Sequence, residues 1–440
     1  MQSTILITTV SIVFILKSEF ILVNGQFLDL IHHERFSIEV GPNFTSLATK
    51  YGHPASQYEV ITDDGYILTM FHLPGRSRFP VLLMHGILDS ADTWIIRGEN
   101  SLAITLANQG YDVWLSNSRG NRYSRRHVNL DPDKDADFWK YSFHEIGHYD
   151  LPAFIDRVLK ETGAPTLTAI GHSQGNTVFY VLGSTRPEYN EKINVMIALA
   201  PICYLHHSPP PISTFIKITP LVENIFTELN INEALGDNTT AARIYRYICS
   251  APVIGYPVCT NGIIFPFTGY DPSELEPSFF RIASKHFPAG ISSRSFVHYL
   301  QVGHRRVFAP FDYGSEGNKA LYNSTVPPPY DFGKISMPIA LIAARNDFLS
   351  TLSDVILLRD QLPNVVSYIV NPRALFNHAD HVWGRRMRVY LFPYIFPIIQ
   401  RYNGPLHTST SESDKAVGLT FDYSDYSTIF VCMCMSIALL

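Results

Sequence analysis

Gly171-His172-Ser173-Gln174-Gly175 is the stretch whose residue types and spacing point to chemistry. A serine with glycine two residues away on either side suits a nucleophile held on a very sharp turn. The glycines leave room for a strand and a helix to approach that turn, and the serine backbone is expected to be strained. Residues 166–170 read as a strand and 177–184 as an apolar helix, so the pentapeptide lies between the elements this layout requires. The start of a helix also places positive partial charge beside the reacting centre. A hydroxyl is a poor nucleophile by itself. It needs a base, and the base needs a carboxylate to orient it.

In chains built around this kind of turn the order is serine, then Asp or Glu, then histidine, the last two following late strands. Asp347 follows a predicted strand at 339–343, whereas Asp354 and Asp360 fall inside the next helical stretch and suit a solvated helix face. Two histidines follow the predicted strand at 366–370. His378 comes first and should face the active end of the sheet, and His381 stands nearly one turn further on. An oxyanion on the reacting carbonyl requires two backbone N–H donors, one from the residue after the nucleophile, Gln174, and one from a loop after an early strand. Residues 81–88, Val-Leu-Leu-Met-His-Gly-Ile-Leu, supply that loop. Gly86 permits the turn and Ile87 presents its N–H, while His85 is expected to pack the loop rather than react.

The elements that must position these residues are legible along the chain. Residues 58–62 and 66–72 read as a hairpin around Asp63-Asp64-Gly65, and 80–84, 112–116 and 195–199 as further strands. Helical spacing at 102–109 and 151–161 alternates with them, which implies a mostly parallel sheet covered on both faces. The rhythm breaks at His206-His207-Ser208-Pro209-Pro210-Pro211. From there to Pro327-Pro328-Pro329 the chain reads as irregular and rich in Pro, Gly and aromatics, an inserted cap. The strand at 339–343 then resumes the core, and 389–402 closes it as an apolar helix with proline kinks. The expected organisation is a leader at 1–25, core at 26–203, cap at 204–332, core at 333–403 and an extension at 404–440.

Only 17% of the 440 residues are charged and 46% are hydrophobic, enough for a large core with apolar surface left over. The net charge of −5 and the short basic clusters (Arg122, Arg125, Arg126; Arg385, Arg386, Arg388) argue against nucleic acid, and no protein partner is inferred. The apolar run 5–16, broken at Lys17, has the length of an export signal, although no Lys or Arg precedes it. Asn43, Asn238 and Asn323 each open an Asn-X-Ser/Thr triplet, as expected of a secreted or lysosomal glycoprotein. Cys249 and Cys259 would close a short loop, and an oxidising compartment makes a bridge between them reasonable. No His-rich spacing accompanies the cysteines, so no metal is expected, and the serine chemistry needs no cofactor.

Taken together these segments resemble the acid lipase family, which includes gastric and lysosomal acid lipases and many insect members. The resemblance rests on His85-Gly-Ile-Leu88 with Trp94, and on Asn117-Ser-Arg-Gly-Asn-Arg-Tyr-Ser-Arg-Arg126. It continues through Phe138-Trp139, Ser142-Phe143, Tyr149-Asp-Leu-Pro-Ala153, the serine pentapeptide, Pro288-Ala-Gly290 and Asn377-His-Ala-Asp-His-Val-Trp383. The match runs in order from Leu28 to Tyr402. It implies an α/β-hydrolase fold with an inserted cap or lid, Ser173 as nucleophile, Asp347 as acid, His378 as base, and Ile87 and Gln174 as oxyanion donors. It also implies a cap disulfide at Cys249 and Cys259, with the spacing slightly shifted and a further family cysteine absent. The implied activity is hydrolysis of neutral lipid esters at an oil–water or membrane interface. A carboxylesterase acting on soluble short-chain esters and a non-catalytic lipid-binding or storage protein are the alternatives. Thioesterase or peptidase chemistry is compatible with the same triad. The polar spacer and apolar residues 429–440 lie outside the family pattern.

Overall fold

The computed structural model describes residues 41–404; the leader, Cys432, Cys434 and the apolar tail lie outside the described residues. Eight strands make the central sheet: β1 (Ser56–Ile61), β2 (Ile67–Leu73), β3 (Val81–Met84), β4 (Val113–Ser116), β5 (Leu167–His172), β6 (Ile193–Leu199), β7 (Ile339–Ala343) and β8 (Val365–Val370). Their order is β1-β2-β4-β3-β5-β6-β7-β8. The β1–β2 hairpin joins β4 antiparallel, and every pairing from β4 to β8 is parallel. β3, β4, β5 and β7 are buried along their whole length and β6 at every residue but Asn194, as expected of strands covered by helices on both faces.

Helix α1 (Leu151–Thr162) buries Leu151, Phe154, Ile155 and Val158, one stripe at helical spacing, and stops at Gly163 with φ +64°. Helix α2 (Gln174–Thr185) starts three residues earlier than its apolar pattern predicts and is buried from Gln174 through Ser184. The closing helix expected at 389–402 is two: Met387–Tyr390 and Phe392–Asn403, separated at Leu391, where ψ of −50° accompanies a φ of −125° too extended for a helix. The longer one sets Phe392, Ile395 and Ile399 into the core, each burial stabilising by about 1.5–3 kcal/mol.

The stretch between β6 and β7 corrects the expectation of irregular structure, because it is mostly helical. Among its helices are Thr240–Ser250, Pro277–His286, Ser293–Arg305 and Gly314–Tyr322, with Glu233–Ala234 and Ile291–Ser292 pairing as two short strands. The Pro, Gly and Asn crowded between these helices hid their period. Cys249 and Cys259 form a disulfide with Cα atoms 5.6 Å apart. Asp354 is also a correction. It is buried rather than solvated, and accepts hydrogen bonds from the N–H groups of His206 and His207 at 3.2 and 3.1 Å and from His207 Nδ1 at 2.8 Å. A carboxylate in a helix's first turn thus ties down the chain where it leaves the core. Asp360 does lie on the solvated face, paired with Arg359. Arg122, Arg125 and Arg126 are all ion-paired.

Candidate active site

Parallel register brings three loops to one edge of the sheet. Met84, the last residue of β3, pairs with Gly171 of β5, so the loop 85–89 starts beside the turn at Ser173. Leu199 of β6 pairs with His172 on one side and Ile342 of β7 on the other, and Val370 of β8 pairs with Ala343. The loops carrying Asp347 and His378 therefore leave the same edge.

Ser173 has φ +55° and ψ −120°, a conformation unfavourable for any residue with a Cβ. It is held because its N–H donates to Leu199 O at 3.1 Å while Asn176 N–H donates to Ser173 O at 2.9 Å. The flanking glycines are required by contact. A Cβ on Gly175 would stand 2.2 Å from Met84 O, and one on Gly171 2.5 Å from Asn176 Oδ1.

His378 Nδ1–H donates to Asp347 Oδ2 at 2.9 Å. The other carboxylate oxygen of Asp347 accepts from Leu349 N–H and Ser350 N–H at 2.9 and 2.7 Å, which fixes its orientation. The His378 backbone is clamped at both ends: its N–H donates to Thr268 O and its C=O accepts from His172 Nε2, each at 3.0 Å. Burial pushes His172 well below the usual imidazole range, with His378 and His381 adding to the effect, so His172 stays neutral and keeps one N–H to donate. His172 was missed as a positioning residue; its place in the pentapeptide was the available signal. His381 is fully buried, held down to about 3 by burial, and has no hydrogen-bond partner on either ring nitrogen among the described residues. The acid thus meets His378 and not His381. Ser173 and His378 line one cavity, with no direct hydrogen bond between them among the described residues. Such contacts commonly tighten only when substrate is bound.

Gln174 opens helix α2, and Ile87, on the loop after β3, lines the cavity. His85 packs that loop, as expected: its Nδ1–H donates to Gly86 O at 2.8 Å and its Nε2 accepts from Ser118 N–H at 3.1 Å. Burial holds it down at about 4, so it is neutral near pH 7. The segment Asn117–Arg126 is scaffolding for the same loop. Asn117 Oδ1 accepts from Ala91 N–H, and Arg119 is buried between Asp64 and Asp150. A cap residue completes it: Ala289 N–H donates to Leu88 O at 2.7 Å, and Leu88 has φ +61°.

The cavity has a volume of about 380 Å³ and is walled mainly by apolar side chains of core and cap, among them Leu205, Phe215, Phe226, Ile264 and Phe267. Among the described residues no cluster of His, Cys, Asp or Glu is arranged to hold a metal ion. A fixed serine, an imidazole oriented by a carboxylate and an apolar chamber can carry acyl transfer from an ester with a long apolar chain.

Two family profiles match the chain, a partial alpha/beta-hydrolase lipase region over residues 44–98 and the alpha/beta hydrolase fold over 80–229. Lipase 1 of Drosophila melanogaster is 38% identical across 80% of this chain and 78% of its own. Gastric triacylglycerol lipase of Rattus norvegicus is 35% identical across 79% and 88%. A putative lysosomal acid lipase/cholesteryl ester hydrolase of Crotalus adamanteus is 33% identical across 79% and 87%. Among solved structures, a thermostable carboxyl esterase from Bacillus coagulans in complex with glycerol has a TM-score of 0.50 at 15% identity. It covers 79% of this chain and 99% of its own, and this likeness concerns the fold alone.

Proposed function

The chain belongs to the acid lipase family of α/β-hydrolases, and from that premise we propose that it hydrolyses neutral lipid esters, triacylglycerols or cholesteryl esters, through Ser173, His378 and Asp347. The observation that carries this reading is the His378–Asp347 hydrogen bond in the same apolar cavity as Ser173. Ser173 Oγ attacks the ester carbonyl carbon while His378 Nε2 takes its proton. The charge that builds on the carbonyl oxygen is received by the N–H groups of Ile87 and Gln174. His378 then protonates the departing alcohol oxygen, leaving an acyl-enzyme. Water attacks that carbonyl with His378 as base again, Ser173 Oγ is the leaving group, and the fatty acid departs. Asp347 stays ionised and keeps the imidazole aimed.

The cap at 204–332 supports a lipid surface as the partner. Residues 247–270 contain no charged side chain, and Val253, Ile254 and Val258 within them are exposed. The same segment supplies Ile263, Ile264 and Phe267 to the cavity wall, so the exposed apolar surface is continuous in sequence with the chamber. A secretory route, to the exterior or a lysosome, fits the 1–25 leader, the disulfide, and acceptor residues Asn43, Asn238 and Asn323, all solvent-exposed.

The test is hydrolysis of a triolein emulsion beside a soluble short-chain ester, with the wild type and Ser173→Ala. Activity on the emulsion that disappears in the variant is expected. Activity on the soluble ester alone would make the protein an esterase, and equal activity in both proteins would remove Ser173 from the mechanism.

A further inference from the structure

One short stretch of the insertion, residues 268–276, lies against both loops that carry the proposed acid and base. Thr268 O accepts from His378 N–H at 3.0 Å, Gly269 O from Asn377 Nδ2–H at 2.8 Å, and Tyr270 O from Asn346 Nδ2–H at 3.1 Å. Three successive carbonyls thus meet the base, the residue before the base and the residue before the acid. The Asn346 amide also donates to Leu375 O at 2.8 Å, on the base loop. The approach leaves no room for a side chain at position 269, where a Cβ would run into Asn346 O. Charged pairs fix the rest of the stretch. Asp271 and Glu274, both fully buried, take Arg373 at 2.6 Å and Arg386 at 2.7 Å, and Glu276 takes Arg97 at 2.6 and 2.8 Å. Separating a buried ion pair is strongly unfavourable, so the stretch is anchored to the core.

We propose that residues 268–276 are a working part of the acid–base pair and that Asn346 is a positioning residue: its amide sets the separation of the loops bearing Asp347 and His378, and so the aim of the imidazole at Ser173 and at the departing alcohol. This rests on the ester-hydrolase reading of the same site. Proton transfer requires the base within hydrogen-bond reach of both oxygens, and a misplacement of about 1 Å costs on the order of 10²-fold in rate.

The sheet leaves that separation open. β7 and β8 pair as far as Ala343 and Val370, short of both residues. Past that pair Asn371 N–H still donates to Ala343 O at 2.8 Å, and Arg345 reaches Asn371 O only at 3.5 Å. Leu349 and Ser350, which orient the Asp347 carboxylate, belong to its own loop and do not fix its distance from the base. Apart from the acid–base bond itself, the Asn346 amide is the short side-chain link between the two loops among the described residues. The side chain is only partly buried, so its loss opens no cavity in the core. The stretch also begins at the chamber: Phe267 and Thr268 line the cavity wall, and Thr268 O holds the base. One run of backbone therefore borders the acyl chain and positions the group that activates its ester.

The experiment compares two esters that share a butyryl group and differ in the alcohol. Dissolved tributyrin needs a proton on its departing glycerol oxygen, whereas para-nitrophenyl butyrate releases a phenolate that leaves without one. Initial kcat/KM is measured on both for the wild type, Asn346→Leu and Asn346→Ala, each checked for folding by circular dichroism. Leucine keeps the branched shape and removes both N–H groups, and alanine is the second variant should leucine not be accommodated. In a folded variant kcat/KM on tributyrin should fall about tenfold further than on para-nitrophenyl butyrate. That ratio is independent of how much of the protein is active, so a loss of folded material does not move it. Wild-type rates on both esters, or an equal loss on both, would overturn the inference, leaving Asn346 structural and the hydrolase reading intact. A folded wild type silent on both esters would sink the hydrolase reading, and the inference with it.

Discussion

Ser173 sits in a backbone conformation that its own side chain disfavours, and the neighbouring residues sustain it. Ser173→Ala keeps that Cβ and should fold normally while losing at least about 10³-fold in rate, measured as turnover beside a circular dichroism spectrum. Gly175→Ala is the opposite case. Its new Cβ would meet Met84 O at 2.2 Å, a backbone atom that cannot rotate away, so it should destabilise by about 3 kcal/mol or more and yield little soluble protein. The serine pentapeptide, Asp347 and His378 were legible in the sequence because their requirements are local: a sharp turn, strand ends and chain order. His172 was not, since what it does depends on a neighbour brought in by the fold. The His172 ring reaches the His378 carbonyl, 206 residues further along the chain.

At the scale of elements, the sheet could be read because β3 and β7 are continuous apolar runs, and β5 and β6 mostly apolar ones, bounded by loops. The stretch between β6 and β7 could not, because the Pro, Gly and Asn crowded between helices such as Thr240–Ser250 and Pro277–His286 masked the period the helices themselves carry. Asp354 was misread for a related reason: helix position suggested a solvated face, whereas its partners, His206 and His207, come from far back in the chain. The disulfide deserves a test at this scale. It closes a loop of sequence separation 10, for which chain entropy gives about 3 kcal/mol. A Cys249→Ser/Cys259→Ser protein should melt lower by differential scanning calorimetry and be cleaved first by protease between residues 247 and 262. An unchanged melting temperature and cleavage pattern would show that packing alone holds this part of the cap.

For the molecule as a whole, buried titratable groups set how stability responds to acid. Burial holds His85 at about 4, and His298 and His381 at about 3, against roughly 6.5 when unfolded. Between those limits the unfolded chain binds more protons, so the stability these residues allow is fully present above pH 6.5 and is lost as pH falls toward 3 to 4. Each can contribute a slope of up to about 1.4 kcal/mol per pH unit. Asp89 acts in the opposite sense. Its carboxyl is raised in the folded state, so its contribution is full in acid and declines as pH rises through about 7. His298→Gln should therefore flatten the fall in melting temperature between pH 6.5 and 4, whatever its effect at pH 7, and an identical slope in both proteins would refute the assignment.

The long insertion between β6 and β7 has a consequence in time. Ser173, the loop bearing Ile87 and strands β1 to β6 precede this insertion in the chain, whereas Asp347 and His378 follow it. A ribosome adding about 5–20 residues per second releases the proposed nucleophile on the order of ten seconds before the proposed acid–base pair. Through that interval the nascent chain holds a serine without a base. A hydrolase laid out in this order is inert until its last strands join the sheet, and translation order itself delays its activity.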